Sequence, residues 1–540
     1  MDIGGIFCLL NEIRGDVTML LLEANRIKYY IQDRLLLDID QLQIHQNARI
    51  GLVGRNGSGK TTLFQILAKE IVPEEGSIVQ RVRCELLPQL KQTDTTKSGG
   101  EVTQEYIQKA VLKDPELLLA DEPTTNLDTG HIEWLEKKLG NWKGAFVIIS
   151  HDRAFLDALC TTIWELDEGK IKVYTGNYSE YVKQKEIERQ QEQLAYEKYE
   201  KKKKQLEEAV KLKEKKAERA TKTPKKEGKL EPKITKPYFA KKQKKLQKTA
   251  TAMITRLEKL GKVEKVKELP PLKMDLPNAE TFKNRIILRV NDRIGKVGKR
   301  VLWKKASFHI RGGDKLAIIG ANGSGKTTLV KQIMNQEYGI RFSPAVKVGY
   351  FSQNLNILDP AKSIIENVQS SSKQNETLIR TVLARMHFFR EDVYKLVEVL
   401  SGGERVKVAL TKLFLSDINT LILDEPTNFL DMTAVEALES LLKEYEGSVI
   451  FVSHDRRFIE NIATRILTIH NQELGLFEGT YQQYKRTQVQ QAQERKKDTR
   501  LLLETKLSEV LSRLSIEPSE KLEREFEKLL QEKRELDASE

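Results

Sequence analysis

Three cysteines in 540 residues, Cys8, Cys84 and Cys160, leave no room for a disulfide framework, and no two stand at metal-ligand spacing. Such sparing use suits a reducing compartment. Long apolar runs are missing too: none approaches the roughly 18 to 20 residues that cross a bilayer, so the sequence brings no membrane path of its own. The nearest thing to a leader, Ile6-Phe7-Cys8-Leu9-Leu10, is too short and lacks the basic flank of a secretory signal. Residues 1–18 are expected to be a non-native or disordered extension with translation opening at Met19, or else an ordinary ragged N-terminus. An acidic surplus is also lacking, since 91 Lys+Arg face 78 Asp+Glu for a net +13. The excess is local. Residues 183–270 carry 29 Lys+Arg and 14 Asp+Glu, or 29 − 14 = +15, which leaves the rest of the chain close to neutral.

What is present is a set of motifs that occurs twice. Gly54-Arg55-Asn56-Gly57-Ser58-Gly59-Lys60-Thr61 returns as Gly320-Ala321-Asn322-Gly323-Ser324-Gly325-Lys326-Thr327. Ser98-Gly99-Gly100-Glu101 returns as Ser401-Gly402-Gly403-Glu404, Asp121-Glu122-Pro123-Thr124 as Asp424-Glu425-Pro426-Thr427, and Ser150-His151-Asp152-Arg153 as Ser453-His454-Asp455-Arg456. The step from Ser-Gly-Gly to Asp-Glu is 23 residues in both copies, and from that Asp to the His it is 30 in both. Equal spacing of this kind means a duplicated domain.

Each copy reads as α/β. Short apolar runs (Arg49 to Val53, Leu117 to Ala120 and Phe146 to Ile149, then Lys315 to Ile319, Leu421 to Leu423 and Val449 to Val452) are expected to be strands of a parallel sheet. Polar motifs follow those runs, so the chemistry falls at the carboxyl ends of strands, where open α/β sheets bind ligands. The expected division is 19–182 for the first nucleotide domain, 183–284 for a basic linker, 285–486 for the second domain and 487–540 for a tail. In the linker, Tyr199, Leu206, Val210 and Ala217 form one apolar seam and Leu246, Ala250, Met253, Leu257 and Leu260 another, on either side of a break at Pro224, Gly228, Pro232 and Pro237. Two seams around a break predict a long antiparallel helical hairpin with its tip at about 218–240. A shorter hairpin is expected in the tail, where Leu503, Leu507, Val510 and Leu514 precede Pro518 and Leu522, Phe526 and Leu529 follow it.

The phosphate loops carry the strongest chemistry. Their glycines let successive backbone N–H groups curl toward phosphate oxygens, and the lysine adds a positive charge. Gly54, Asn56, Gly57, Ser58, Gly59, Lys60, Thr61 and Thr62 form one expected ATP cradle, and Gly320, Asn322, Gly323, Ser324, Gly325, Lys326, Thr327 and Thr328 the other. The hydroxyls of Thr61 and Thr327 with the carboxylates of Asp121 and Asp424 are the expected Mg²⁺ side. Glu122 and Glu425 stand where an attacking water would be oriented and polarised. His151 and His454 can hydrogen-bond the γ-phosphate. Gln89 and Gln353, 29 and 27 residues beyond the loop lysines, are expected to sense metal and water.

With Ser-Gly-Gly added, the array resembles the ATP-binding cassette superfamily along nearly the whole chain. That resemblance implies two sandwiched ATP sites. One joins Lys60, Thr61, Asp121, Glu122 and His151 to Ser401, Gly402, Gly403 and Glu404; the other joins Lys326, Thr327, Asp424, Glu425 and His454 to Ser98, Gly99, Gly100 and Glu101. The copies differ. Gln89 to Ser98 is 9 residues but Gln353 to Ser401 is 48, so the first cassette lacks the stretch where transporter cassettes carry a helical subdomain, and its signature has Lys97 and Val102 where the second has Leu400 and Arg405. Twin cassettes, a long basic linker and Pro426-Thr427-Asn428-Phe429-Leu430-Asp431 resemble the ABC-F ATPases. The first copy reads Pro123-Thr124-Thr125-Asn126-Leu127-Asp128, with Thr in place of the usual first Asn. The shortened first cassette, the Pro237-Tyr238-Phe239-Ala240 tip and the Leu514-Ser515-Ile516-Glu517-Pro518 tail are similar to the Vga-type antibiotic-resistance ribosome protection proteins. The resemblance implies a cytoplasmic monomer with its cassettes paired intramolecularly, bound at the exit site of the bacterial ribosome near 23S rRNA and peptidyl-tRNA. Its linker tip would displace streptogramin A, lincosamide and pleuromutilin drugs. A housekeeping translation ATPase of the same family and the motor of an efflux pump are the alternatives.

Overall fold

A computed structural model describes residues 19–89, 99–125, 127–219, 241, 244–245, 248–249, 251–252, 255, 284–352, 357–428, 430–516 and 519–538. The extension 1–18 lies outside them, and the first strand begins at Leu20. Residues 173–270 form a compact unit of their own, and 1–172 with 271–540 form the other.

In the first cassette, β1 (Leu20–Ile31) and β2 (Arg34–His45) make a hairpin, then β3 (Arg49–Gly54) enters the core and β4 (Glu75–Gln80) returns to pair with β1. The main sheet adds β5 (Cys84–Leu87), β6 (Leu117–Asp121), β7 (Ala145–Ile149), β8 (Thr162–Asp167) and β9 (Lys170–Thr175), in the order β5-β6-β7-β3-β8-β9. Every residue of β6 and β7 is buried, as continuous apolar strands covered on both faces must be. The consequence is positional: β6, β7 and β3 are parallel neighbours, so Asp121, Ile149 and Gly54 end on one edge of the sheet.

The second cassette repeats the plan. β10 (Ile286–Val297) and β11 (Arg300–Arg311) form the hairpin, with β12 (Lys315–Gly320) behind it and β13 (Ile340–Phe342) on β10. The main sheet takes β14 (Val348–Phe351), β15 (Thr420–Asp424), β16 (Ser448–Val452), β17 (Arg465–His470) and β18 (Glu473–Glu478) in the order β14-β15-β16-β12-β17-β18. Phe451 of β16 meets Phe458 edge to face with ring centroids 5.4 Å apart, both fully buried. Between β14 and Ser401 stand helices Ile364–Gln369 and Glu376–Arg385 with two short 3-10 turns. The first cassette passes from β5 to its helix Gly99–Leu112 with no such subdomain in the described residues.

In the unit 173–270, helix Tyr178–Arg219 runs 42 residues, about 63 Å at helical rise. A capping box starts it: Asn177 Oδ1 accepts from the Glu180 amide and the Glu180 carboxylate from the Asn177 amide, each at 3.0 Å. Tyr199, Leu206 and Val210 of the expected seam are half-buried. The side chain of Ala217, the tip at 218–240 and nearly all of the return arm lie outside the described residues. In the tail, helix Tyr481–Ile516 is followed by Glu520–Ala538, and Lys533 Nζ reaches back to Glu504 at 2.8 Å. Leu503, Leu507, Val510 and Leu514 form a less exposed stripe of the first helix, and Leu522, Phe526 and Leu529 are half-buried along the second.

Candidate active sites

The two phosphate loops have the same construction. Gly59 and Gly325, with φ of 100° and 103°, cap helices Lys60–Leu67 and Lys326–Met334 in the left-handed region. A side chain at Gly59 would also meet Leu36 at 3.0 Å. Lys60 Nζ donates to the carbonyls of Gly54 and Arg55 at 2.8 and 2.9 Å, and Lys326 Nζ to those of Gly320 and Ala321 at 2.9 and 3.1 Å. Both amines are buried, and desolvation lowers both pKa values. The hydroxyls of Ser58 and Ser324 are buried in the loops with no hydrogen-bond partner. A loop with its lysine drawn inward and its serine hydroxyl unsatisfied fits an anionic ligand such as a nucleotide phosphate.

The metal side fits as well. Thr61 Oγ1 donates to Asp121 Oδ2 at 2.7 Å, and Thr327 Oγ1 to Asp424 Oδ1 at 3.3 Å. Burial raises the pKa of each aspartate. Among the described residues no group of three or more His, Cys, Asp or Glu could hold a metal ion by itself. A hydroxyl and a carboxylate suffice for Mg²⁺, which draws its other ligands from water and substrate phosphates. Gln89 is exposed just beyond β5, and Gln353 lies outside the described residues.

Glu122 and Glu425 both have φ of 51°, a strained value for a residue with a side chain. The strain is held by the sheet: their amides donate to Ile149 and Val452 at 2.9 and 3.0 Å, prolonging the strand pairing by one residue. Burial, then the neighbouring Asp121, pushes the Glu122 carboxyl up to about 8. Burial pushes Glu425 up to about 7. His151 Nε2 stands 3.3 Å from Glu122 Oε1, and His454 Nε2 3.4 Å from Glu425 Oε1. Burial, then the loop lysine, depresses His151 to about 4 and His454 to about 3, so both rings are neutral at pH 7. With the carboxyl raised and the imidazole depressed, a proton shared between them stays on the carboxyl, and the neutral ring is left free to hydrogen-bond.

The signature of the second cassette begins a helix. Ser401 caps Gly402–Phe414 in a reciprocal box with Glu404, whose carboxylate accepts from the Ser401 amide at 2.9 Å and its hydroxyl at 2.7 Å. Arg405 ties that helix to the carbonyls of Val397 and Glu398 at 3.2 and 2.7 Å. In the first cassette, Gly99 and Gly100 open helix Gly99–Leu112; Ser98 and the Glu101 side chain lie outside the described residues.

Two aspartates bind the cassettes together. Asp431 Oδ2 accepts from the Asn56 amide of the opposite phosphate loop and from Lys407 Nζ of the signature helix, each at 3.4 Å. Asp128 Oδ2 accepts from the Asn322 amide at 2.9 Å. Burial opposes ionisation of Asp431, but Lys407 and the amides of Ala434 and Asn56 hold it down at about 2. The first phosphate loop and the second signature helix therefore share one carboxylate, which is a head-to-tail pairing of cassettes. Motif reading gave Asp128 and Asp431 no role and overlooked Glu136 and Glu439, the partners of Arg456 and Arg153. Recurrence would have found them: each aspartate follows Asp121 or Asp424 by 7 residues and each glutamate by 15.

A family model described as ABC transporter matches residues 37–93 and 303–428, and a second of the same description matches 164–245. The ribosome protection protein VmlR of Bacillus subtilis is 31% identical over 549 residues, covering 95% of this chain and 97% of its own. The erythromycin resistance ATP-binding protein MsrA of Staphylococcus epidermidis is 32% identical, covering 82% and 96%. The ATP-binding protein Uup of Escherichia coli is 30% identical, covering 92% and 88%. Among solved structures, RNase-L Inhibitor superposes with a TM-score of 0.56 at 16% identity, covering 87% of this chain and 92% of that one, a likeness of fold alone.

Proposed function

The chain belongs to the ABC-F family of ATP-binding cassette ATPases, and from that premise we propose that it is a ribosome protection factor. It hydrolyses ATP. The observation that carries the reading is the match to VmlR across 97% of that protein's length, since it includes both cassettes and the segment between them. The surplus of +15 in residues 183–270 suits a partner built of phosphates. In this reading the protein binds the exit-site region of the bacterial ribosome, against 23S rRNA and peptidyl-tRNA. The linker tip dislodges streptogramin A, lincosamide and pleuromutilin drugs from the peptidyl-transferase centre.

The site residues then have the following work. Lys60 and the loop amides hold the ATP phosphates at one site, capped by Ser401 and the glycines after it; Lys326 and its loop do so at the other, capped by Ser98 and its glycines. Thr61 with Asp121, and Thr327 with Asp424, would hold Mg²⁺, which when bound neutralises phosphate charge. Glu122 and Glu425 orient water and accept its proton, and His151 and His454 hold the water and the γ-phosphate. Glu404 acts through the capping box and positions Ser401.

If ATP favours the paired, ribosome-binding form, blocking hydrolysis shifts the population toward it. Glu122→Gln with Glu425→Gln should retain ATP and co-sediment with ribosomes. Recovery of that double variant only in the free fraction, with ATP present, would sink the model. One other reading is a housekeeping translation ATPase of the same family without drug action, and the similarity to Uup, whose name carries ATP binding but no resistance, leaves room for it. Expression in a susceptible host separates the two: the proposal requires a raised minimum inhibitory concentration for at least one of the three drug classes.

A further inference from the structure

The arginine two residues past each site histidine, His151 or His454 (the switch histidines), is buried against the other cassette. Both terminal nitrogens of Arg153 meet the carboxylate of Glu439, one at 3.3 Å, and the guanidinium stands 3.6 Å from Asp455. Arg456 mirrors this on Glu136, one contact at 3.2 Å, and stands 3.7 Å from Asp152. Asn461 adds a hydrogen bond to Glu439 at 3.0 Å. Asp152 and Asp455 in turn cap the helices that carry the arginines.

Glu439 sits on helix Met432–Glu444, whose capping residue is Asp431. The first cassette thus grips this helix twice, by the Asn56 amide at its cap and by Arg153 two turns on. The same helix starts seven residues after Glu425 of its own cassette. Helix Thr129–Gly140 is gripped in the same way, by the Asn322 amide on Asp128 and by Arg456 on Glu136. Buried ion pairs contribute little net stability, because desolvation offsets the attraction, but separating the partners leaves an uncompensated buried charge and is opposed strongly. Two such pairs, each between one site's switch and the helix behind the other site's glutamate, are placed to pass a displacement between sites.

We propose that Arg153 and Arg456 are positioning residues that couple the two ATP sites, each linking its own switch histidine to the helix behind the opposite glutamate. The proposal rests on the two loops being ATP sites. The test uses the full chain with Glu122→Gln and Glu425→Gln, so that turnover does not empty the sites, and titrates it with mant-ATP. The parent should bind two molecules with a coupling factor of about 5 or more between the steps, the lower end of ordinary allosteric coupling. Adding Arg153→Met or Arg456→Met should bring that factor close to 1, and Arg153→Lys should leave it between. Glu439→Gln, which keeps the side-chain volume, is the second route should an arginine variant fail to fold, and it should lower the factor too. A purely structural role predicts a lower Tm and equal weakening of both steps with their ratio kept, and that result overturns the proposal. So does a parent with no coupling. A parent that binds no mant-ATP would remove the site reading itself.

Discussion

At Glu122, burial beside Asp121 outweighs the attraction of Lys60, so the folded protein keeps a proton that the unfolded chain loses. The sign follows. This contribution to stability is fully present below the ordinary 4.5 and is lost as pH rises through about 8. Glu122→Gln removes the dependence, so nucleotide-free Tm should rise relative to wild type at pH 8 and differ little at pH 5. A Tm difference independent of pH would show that the carboxyl is ionised throughout. The depressed histidines work in the opposite sense: their contribution is present above about 6.5 and lost as pH falls toward about 4 for His151 and about 3 for His454. Glu404 offers a second residue-scale test. Its bonds are to Ser401, which Gln can also make in a capping box, so Glu404→Gln should keep near-normal ATPase activity. Glu404→Ala should cost about 1 kcal/mol of helix stability and lower activity with it. Equal loss in both would mean the charge itself acts on nucleotide.

At the scale of elements, the duplicated strands and phosphate loops were legible because local pattern and tertiary role agree: an apolar run, then a glycine loop, then a helix. The contacts between cassettes were harder to read. Asp431 draws its partners from Asn56 and Lys407, which lie 375 and 24 residues away, and no local period announces such a meeting. The sites also differ in ways the motifs only hint at. Lys407 follows Ser401 by six residues, and the matching position after Ser98 is Gln104, so the first cassette has no lysine there for Asp128. Asp128 instead has His131, three residues on in the helix it caps, whose ring Nδ1 is 2.7 Å from Oδ1. Arg405 anchors the second signature helix, whereas Val102 stands at the corresponding position of the first and can form no such anchor. In the proposed pairing of the sites, the better-anchored helix caps the site that contains Glu122. Glu122→Gln should therefore reduce steady-state ATPase more than Glu425→Gln, and equal losses would count against unequal sites.

For the whole molecule, the question is how hydrolysis in one unit serves an act elsewhere. Helix Tyr178–Arg219 is about 63 Å long, and in the proposed function the segment 218–240 that follows it in sequence is the effector. A stiff helix of that length moves its far end as its base moves. Its surface is chiefly Lys, Glu and Gln, which favours helix and leaves charge for an anionic partner. The sequence of 218–240 differs in kind: Pro224, Gly228, Pro232 and Pro237 are residue types that disfavour helix, and Tyr238 and Phe239 are of the type that stacks on RNA bases. If 218–240 is the expected helix-breaking tip, scaffold and effector can be separated by mutation, because such segments change without unfolding what carries them. Changing Tyr238 and Phe239 to Ala, or removing the tip, should abolish drug protection while ATPase activity and ribosome co-sedimentation persist. The measurement is minimum inhibitory concentration for a pleuromutilin or lincosamide beside ribosome binding of the same variants. Protection at wild-type level after tip removal would make the tip dispensable, and drug displacement would then have to act through the cassettes or through the ribosome's own response to binding.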